Sequence, residues 1–334
     1  MKGADSNNML VDSFGRKHTY LRISVTDRCN LRCTYCMPHE GIVWKKRQEL
    51  LSYEEILRLS KIFTAMGIRK IRLTGGEPMV RKDLPVLVRG LKELTGLGLQ
   101  TLAMTSNATL LAEWAETLKD SGLQALNISL DTFRADRFRA IARTDDLAKV
   151  LAGIEKAIAC RFESLKINTV VMAGVNDDEI LDFVAFAHKY RINARFIEYM
   201  PFKDNHWSAS QVVTYKDMKE TIDRHYKLTA MEREEGAVAK DFHIDGGGTV
   251  SFITSMSESF CSACNRLRLT ADGAIKSCLF YPAEINLRDA IRSGATDNEL
   301  RGMILSCLGQ KPEAHPPAEE IAAGENRAMI AIGG

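Results

Sequence analysis

The segment CNLRCTYC, residues 29–36, directly follows the first predicted β-strand of this 334-residue chain. Its cysteines, Cys29, Cys33 and Cys36, are spaced C-x3-C-x2-C, and a short loop with this spacing can bind three corners of a cubic iron–sulfur cluster. Because a complete set of thiolate ligands needs four cysteines, one iron would remain open to a small molecule. A zinc knuckle or three unrelated buried cysteines are the alternatives, although zinc sites favour C-x2-C pairs with a fourth ligand.

Six segments have the composition and alternation of β-strands: residues 20–26, 71–74, 99–105, 126–131, 166–171 and 194–200. In the first, Leu21, Ile23 and Val25 form an apolar face, and Arg22 begins the polar face. The same alternation puts further polar side chains together on one face of the later strands: Arg72, Thr74, Asn127, Ser129, Asp131, Lys166 and Asn168. A polar face is unusual for a parallel strand, which is normally buried on both sides.

Helical patterns separate these strands, at residues 53–66, 83–94, 111–121, 147–161, 177–190 and 215–226. Ser52 and Glu55 are predicted to cap the first of them. The regular alternation of strand and helix predicts βαβ units and a parallel sheet. Because polar inner faces indicate a sheet curled around a ligand, the predicted class is α/β, an incomplete (β/α)6 TIM-like barrel. A flat doubly wound sheet is the alternative.

The character of the chain changes near residue 228. We therefore predict a partial barrel over residues 1–227 and a C-terminal region over residues 228–334. In that region, DGGG at residues 245–248 predicts a hairpin turn, and residues 286–307 predict a helical stretch.

A second cysteine triplet lies in the C-terminal region and consists of Cys261, Cys264 and Cys278, spaced C-x2-C-x13-C. A structural zinc site would need a fourth ligand, for which His243 is the nearest upstream histidine. The alternative is a second iron–sulfur cluster, again one ligand short. Arg266 and Arg268 alternate on one face beside the triplet, where their guanidinium groups could bind a polyphosphate or simply be solvated.

Composition excludes several classes of protein. With 45 basic and 43 acidic residues the net charge is only +2, so nothing global indicates nucleic-acid binding. Eight cysteines in a chain of this length do not form a secreted disulfide scaffold. Residues 1–8 lack the apolar core of a signal peptide, and no run of about 18 apolar residues predicts a membrane span. We therefore expect a cytoplasmic protein with reduced thiols.

TGGEP, residues 74–78, ends the second predicted strand. Two adjacent glycines let a ligand approach the main chain closely, although the motif alone also fits an ordinary strand-to-helix turn. Placed one βα unit after C-x3-C-x2-C, it resembles the SAM-binding turn of the radical S-adenosylmethionine (SAM) enzymes, as the cysteine loop resembles their cluster loop. The resemblance implies that Gly76 and its neighbours bind the amino group of SAM.

Further motifs extend the resemblance over almost the whole chain: DSFGR at 12–16, DRCN at 27–30, FCS at 260–262, NRLRL at 265–269, CLF at 278–280 and the terminal Gly333-Gly334. Together they are similar to the molybdenum cofactor biosynthesis protein A family, the GTP 3′,8-cyclases. The resemblance implies a 4Fe–4S cluster at each end of the barrel lumen. The first would cleave SAM reductively, and the second would bind the guanine ring of GTP. A 5′-deoxyadenosyl radical would take the ribose 3′ hydrogen, and attack on C8 would give 3′,8-cyclo-7,8-dihydro-GTP.

The family's functional residues match positions of this sequence one by one. The implied SAM contacts are Tyr35, Gly76, Ser129 and Met200, and the implied GTP contacts are Arg22, Arg72, Thr105, Lys166, Arg266 and Arg268. The six triplet cysteines are the implied cluster ligands, and Arg22 is also implied to act catalytically by helping to quench the product radical. The Gly-Gly tail is implied to enter the active-site pocket. One position departs from the family, because Ala108 stands where glycine is usual, and alanine tolerates a left-handed turn less well.

The resemblance also implies partners for the chain. These are GTP, an electron-donor protein and the next enzyme of the pathway, cyclic pyranopterin monophosphate synthase, with a homodimer as one candidate assembly. Two alternatives stay open from the sequence. One is a radical SAM enzyme that modifies peptides, although such relatives typically carry more than three cysteines in their C-terminal regions. The other is a zinc- or iron–sulfur-binding interaction module without enzymatic activity.

Overall fold

One twelve-stranded sheet organises the computed structural model, which describes residues 9–38, 40–233, 236–281, 284–324 and 327–333. The strands are β1 (Tyr20–Ser24), β2 (Lys70–Thr74), β3 (Thr101–Ser106), β4 (Ala125–Ser129), β5 (Ser164–Val171), β6 (Asn193–Glu198), β7 (Leu228–Ala230), β8 (Ala239–Ile244), β9 (Thr249–Ile253), β10 (Arg266–Leu269), β11 (Ala274–Lys276) and β12 (Ile285–Asn286). The six predicted strands are confirmed as β1 to β6, with ends that differ by a few residues.

The order of the strands departs from that of a doubly wound sheet. Strands β1 to β6 lie side by side in chain order and are all parallel. A doubly wound sheet reverses its strand order at a switch point, and these six strands contain no such reversal. The later strands extend both edges, because β10 pairs with β1 and β9 pairs with β6. One α/β sheet, mostly parallel at its centre, therefore includes strands from both predicted regions.

Ten α-helices lie in the described part of the chain. They are α1 (Tyr53–Ala65), α2 (Leu84–Lys92), α3 (Leu111–Asp120), α4 (Ala135–Ala142), α5 (Leu147–Cys160), α6 (Ile180–Tyr190), α7 (Tyr215–Asp223), α8 (Leu287–Arg292), α9 (Asp297–Gly309) and α10 (Ala318–Ala323). The predicted capping box at the start of α1 is present, since Ser52 Oγ accepts from the Glu55 main chain and the Glu55 carboxylate accepts from Ser52. Within the described ranges, none of these helices is long and apolar enough to cross a membrane.

Two predictions about helices were incomplete. The helical stretch predicted over residues 286–307 is two helices, because Gly294 adopts a left-handed φ of 90° and Thr296 starts α9 with its own capping box. Helix α4 was missed, since its eight residues place only Phe138, Ile141 and Ala142 in the core and give little periodicity to detect.

The main core lies on the apolar side of the sheet. Leu21 and Ile23 of β1 and Ile71 and Leu73 of β2 are fully buried there, in one cluster with the apolar faces of the helices. Successive side chains of a strand point to opposite sides, so the residues between these positions point away from that core. This geometry leaves a polar sheet face for a binding site.

Candidate active site

The polar face of the sheet lines a cavity of about 690 Å³. Every side chain predicted to contact SAM or GTP lines this cavity: Arg22, Tyr35, Arg72, Gly76, Thr105, Ser129, Lys166, Met200, Arg266 and Arg268. The polar strand positions predicted by alternation, among them Asn127 and Asn168, line it as well. Tertiary structure thus brings residues from nine strands and their loops to one site.

The first cysteine triplet opens onto the same cavity, just after the carboxyl end of β1. Cys29, Cys33 and Cys36 all line it, and the loop turns tightly where the Cys36 main-chain N–H donates to Cys33 O at 3.0 Å. Burial raises the pKa of the Cys29 thiol to about 11 and also raises the pKa values of Cys33 and Cys36. Metal ligation requires the thiolate, so metal binding at this loop must release protons.

The arrangement of ligand side chains bears on which metal group fits. Among the residues that the structure describes, no three His, Cys, Asp or Glu side chains converge on a point where a single metal ion could be held. Zinc needs such convergence, whereas each thiolate of a cubane cluster binds a different iron. The described residues therefore contain no preassembled single-ion site at either triplet.

The glycine turn after β2 packs directly on the cysteine loop. Gly76 N–H donates to Thr26 O at 2.9 Å, and Glu77 N–H donates to Arg28 O at 2.8 Å. A Cβ atom placed on Gly76 would lie 2.2 Å from Arg28 O, which is far inside van der Waals contact. Glycine is needed here because two stretches of main chain touch, in addition to any ligand contact.

The Glu77 side chain stabilises the region around the glycine turn, a role that was not predicted from the sequence. Its fully buried carboxylate accepts from the main-chain N–H groups of Met79 (3.1 Å) and Asn107 (2.7 Å) and from the Ser106 hydroxyl (3.0 Å). Burial raises the pKa of Glu77 to about 7. The Asn107 amide in turn approaches Cys29 Sγ at 3.7 Å. Glu77 therefore ties the end of β3 to the glycine turn and, through Asn107, to the cysteine loop.

Ala108 adopts the left-handed conformation despite its side chain, with φ of 62°. Its main-chain N–H donates to Ser106 Oγ at 2.8 Å. Helix α5 passes close by at Gly153, where a Cβ atom would lie 2.3 Å from Ala108 O. Surrounding structure thus holds alanine in a turn that usually favours glycine, and Thr105 still lines the cavity.

Asp131 positions Tyr35 between the cysteine loop and the strands. The Tyr35 hydroxyl donates to Asp131 Oδ2 at 2.8 Å, and Val170 N–H donates to Asp131 Oδ1 at 2.9 Å. Burial raises the pKa of Asp131 to about 6. The strand alternation predicted Asp131 on this face but assigned it no role.

The cavity carries a strong excess of positive charge. Its described lining includes eight Lys or Arg residues and only three Asp or Glu residues. Arg72 is held in place by its Nε donating to Tyr20 OH at 2.6 Å and by an Nη1 bond to Met104 O at 2.8 Å. Burial, with Arg195 and other cations nearby, lowers the pKa of Lys166 to about 8. Such crowding of cations indicates a site for an anionic ligand.

Three of these cations were not predicted: Arg69, which directly precedes β2, Lys70 and Arg195. Lys70 lies two residues before Arg72 on the same strand face, so extending the alternation of β2 by one position would have found it. Arg195 on β6 lines the cavity with its Nη2 4.0 Å from Asp241. The residues around it in β6 showed no run of polar alternation, and only the pairing of β6 with β5 brings Arg195 to the site.

Strand register places the second triplet at the opposite end of the sheet from the first. Strand β10 runs parallel to β1 with Arg266 opposite Tyr20, so Cys264, just before β10, lies beyond the amino end of β1. Strand β11 runs antiparallel to β10 with Lys276 opposite Arg268, which carries Cys278 to the same end. Cys29 follows the carboxyl end of β1 and is therefore remote from both.

The second triplet borders the cavity without lining it. Phe260, Asn265 and Leu279, each next to one of its cysteines, line the cavity, while among the described lining residues Cys261, Cys264 and Cys278 do not appear. All eight cysteines of the chain are free thiols.

The end of the chain enters the site. Gly333 lies against Thr74 and Ser24, and its carbonyl accepts from Arg22 Nη2 at 3.4 Å. The Ile332 carbonyl accepts from Arg268 at 3.5 Å. Gly334, the second glycine of the predicted tail, lies outside the described residues.

Comparison with solved structures gives the fold class. A SAM-bound enzyme, anSMEcpe, superposes with a TM-score of 0.59 at 15% identity, over 88% of this chain and 78% of that one. SuiB from Streptococcus suis, bound to its precursor peptide SuiA, has a TM-score of 0.58 at 15% identity, over 94% of this chain and 70% of that one. At these identities the similarity concerns the fold alone.

Sequence comparison is more specific. Residues 23–187 match the radical SAM superfamily, and residues 192–317 match the family Molybdenum Cofactor Synthesis C. The chain is 48% identical over 98% of its length to a mitochondrial GTP 3′,8-cyclase of Arabidopsis thaliana, covering 84% of it. It is 41% identical over 97% of its length to a GTP 3′,8-cyclase of Syntrophomonas wolfei, covering all of it.

Animal relatives are longer than this chain. Molybdenum cofactor biosynthesis protein 1 of Bos taurus is 48% identical over 97% of this chain, which spans only 51% of that relative. The match to the plant and bacterial proteins covers most or all of their length. The chain therefore belongs to the GTP 3′,8-cyclase family of the radical SAM superfamily.

Proposed function

We propose that this protein is a GTP 3′,8-cyclase, which converts GTP to 3′,8-cyclo-7,8-dihydro-GTP with SAM and two 4Fe–4S clusters. The observation that carries the proposal is one cavity that joins a three-cysteine loop, a glycine turn and a dense group of cations. When bound, the first cluster and SAM supply the electron and the radical that start the reaction. The protein supplies binding, orientation and protection from water.

In this proposal, SAM and the nucleotide base bind at opposite ends of the cavity. Cys29, Cys33 and Cys36 would hold the first cluster, on a loop that packs against the glycine turn. Tyr35, Gly76, Ser129 and Met200 surround SAM at that end. Cys261, Cys264 and Cys278 would hold the second cluster beyond the amino end of β1, and that cluster would supply an open iron site for the guanine ring.

The cations between the two ends bind the triphosphate. Arg72, Lys70, Lys166 and Arg195 lie on β2, β5 and β6, and all four face the same space. Arg266 and Arg268, next to the second triplet, hold the nucleotide against the second cluster, with Thr105 as a further contact. Arg22 lies next to the tail and helps to quench the product radical. Guanidinium groups suit this task because they bind phosphate oxygens in pairs and stay charged.

We further propose that the six parallel strands curve into an incomplete (β/α)6 barrel over residues 1–227. The support is that side chains from all six strands line one cavity. Residues 228–334 then form the C-terminal region that carries the second cluster and the tail. We propose three partners: an electron-donor protein, the next enzyme of the pathway (cyclic pyranopterin monophosphate synthase), and a second copy of the chain in a homodimer as one candidate assembly. The proposed location is the cytoplasm.

An anaerobic assay tests the function. The chain is reconstituted with iron and sulfide and then given SAM, dithionite and GTP, and the products are analysed. We expect about eight irons per chain, 5′-deoxyadenosine and a cyclised guanosine triphosphate. Deoxyadenosine without consumption of GTP would contradict the cyclase and favour a peptide substrate. Zinc in place of iron, with no SAM cleavage, would contradict radical chemistry altogether.

The affinity for GTP should fall above pH 8 because of Lys166. Burial lowers the pKa of this ammonium group to about 8, so it is mostly charged below that pH and mostly neutral above it. A triphosphate favours the charged form, so binding above pH 8 must take up a proton and weakens by up to about tenfold per pH unit. Equilibrium dialysis of GTP between pH 7 and pH 9.5 measures this slope.

Lys166→Arg is the matched control for that experiment. Arginine keeps its charge throughout this range, so the variant should lose the Lys166 contribution to the slope. An identical fall in affinity for both proteins would show that another group is responsible.

A further inference from the structure

Lys311, in the loop after α9, is buried beside the second cysteine triplet. Its side-chain ammonium donates to Cys264 Sγ at 3.6 Å, to Arg266 O at 3.3 Å and to Ser277 O. Only 5% of the residue is exposed. These three bonds use all three ammonium protons.

Among the described residues, no Asp or Glu oxygen lies within ion-pair distance of Lys311 Nζ. The neighbouring His18 is buried as well, and burial together with the charge of Lys311 lowers its pKa to about 4. Burying an ammonium group without an anionic partner is unfavourable. The environment of Lys311 therefore favours a negative charge nearby. Among the described residues, Cys264 is the cysteine whose sulfur lies within hydrogen-bond distance of the ammonium.

Arg16, from the DSFGR motif, fixes the position of this loop. Asp12 accepts from its Nε at 2.5 Å. The guanidinium then donates to Cys261 O at 2.8 Å, to Pro312 O at 2.7 Å and to Glu313 O at 2.6 Å. One side chain thus joins the first cysteine of the triplet to the two residues that follow Lys311. This contact gives a physical role to a motif that the cavity itself does not use.

The two triplets also differ in electrostatic setting. Cys264 Sγ accepts from the charged Lys311 ammonium at 3.6 Å, whereas Cys29 Sγ accepts from the uncharged Asn107 amide at 3.7 Å.

We propose that Lys311 is a positioning residue for the second iron–sulfur cluster, where its ammonium group compensates the Cys264 thiolate and makes the reduction potential of that cluster less negative. The inference rests on the proposed function, because it takes the second triplet as a cluster site. Hydrogen bonds to cluster sulfurs and nearby charge are established determinants of such potentials, and the partners of a ligand tune the metal group it holds. Arg16 ties the main chain at Cys261 to the loop that carries Lys311.

The test uses the full chain with Cys29, Cys33 and Cys36 replaced by serine, so that only the second triplet binds iron. Lys311→Gln removes the charge and keeps an amide donor, Lys311→Arg keeps the charge, and Lys61→Gln removes an exposed charge on α1. Each protein is reconstituted anaerobically, its iron and sulfide are counted, and its midpoint potential is measured by a redox titration followed by electron paramagnetic resonance.

We expect the midpoint potential of Lys311→Gln to shift to a more negative value, while Lys311→Arg and Lys61→Gln stay close to the parent. If Lys311→Gln and the parent have equal iron contents and equal midpoint potentials, the role of Lys311 is overturned, while the proposed function is unaffected. If Lys311→Gln binds less iron than the parent, a parental iron content in Lys311→Arg supports the role of the charge. Loss of iron in both variants overturns that role. A parent without iron would overturn the second cluster itself, and the proposed function with it.

Discussion

Replacing Cys29 with serine is expected to abolish SAM cleavage in the reconstituted protein. Cys29 is one of three thiols on a loop that lines the cavity, and a hydroxyl is a poor substitute for a thiolate on iron. Losing an outer-sphere partner of a metal costs roughly 10- to 100-fold in affinity or activity. Losing a direct ligand should cost more, so 5′-deoxyadenosine formation should fall by over about 100-fold.

The measurement is iron content and 5′-deoxyadenosine yield under dithionite. Iron should fall to about four per chain, because the second triplet keeps its ligands. Cys160→Ser is the matched control, since Cys160 is a half-buried free thiol at the end of α5 and belongs to neither triplet. Parental deoxyadenosine yield in Cys29→Ser would show that Cys29 is not a cluster ligand.

Replacing Gly76 with alanine should destabilise the protein and displace the cysteine loop. The new Cβ atom would lie 2.2 Å from Arg28 O and 2.9 Å from Cys29 Cβ. Arg28 O is already the acceptor for Glu77 N–H, so the main chain cannot move aside without losing that bond. Overpacking of this kind costs about 1–3 kcal/mol in free energy of unfolding. SAM affinity should fall as well, because the loop and the turn form two sides of one site.

Urea unfolding and equilibrium dialysis of SAM measure the two effects. Gly96→Ala is the matched control, since a Cβ atom at Gly96 would meet no atom within 4 Å. Its free energy of unfolding should stay within about 0.5 kcal/mol of the parent. Equal stability and SAM affinity in both variants would contradict the tight contact between the glycine turn and the cysteine loop.

Much of the cavity could be predicted from alternation alone. A β-strand sends successive side chains to opposite sides, so apolar Leu21 and Ile23 put Arg22 on the other face without any knowledge of neighbouring strands. The same argument applies to Arg72 and Lys166. The start of α1 after Ser52 could also be predicted from local sequence, because a capping box spans only four residues.

Other features depended on contacts that no local pattern contains. Arg195 reaches the cavity only because β6 pairs with β5. The break at Gly294 separates two helices that continuous periodicity had joined. Lys311 contacts Cys264, which lies 47 positions earlier in the chain, and the sequence around neither residue predicts this contact.

The sequence by itself determined the chemistry: the two cysteine spacings, the glycine turn, the alternating α/β pattern and the strand faces that carry cations. Each is a property of a few consecutive residues and of backbone geometry that repeats every two or 3.6 positions. Only the tertiary structure decided where these parts lie. The pairing of β10 with β1 joins residues about 246 positions apart, and it is this long-range register that sets the two cysteine triplets at opposite ends of one sheet.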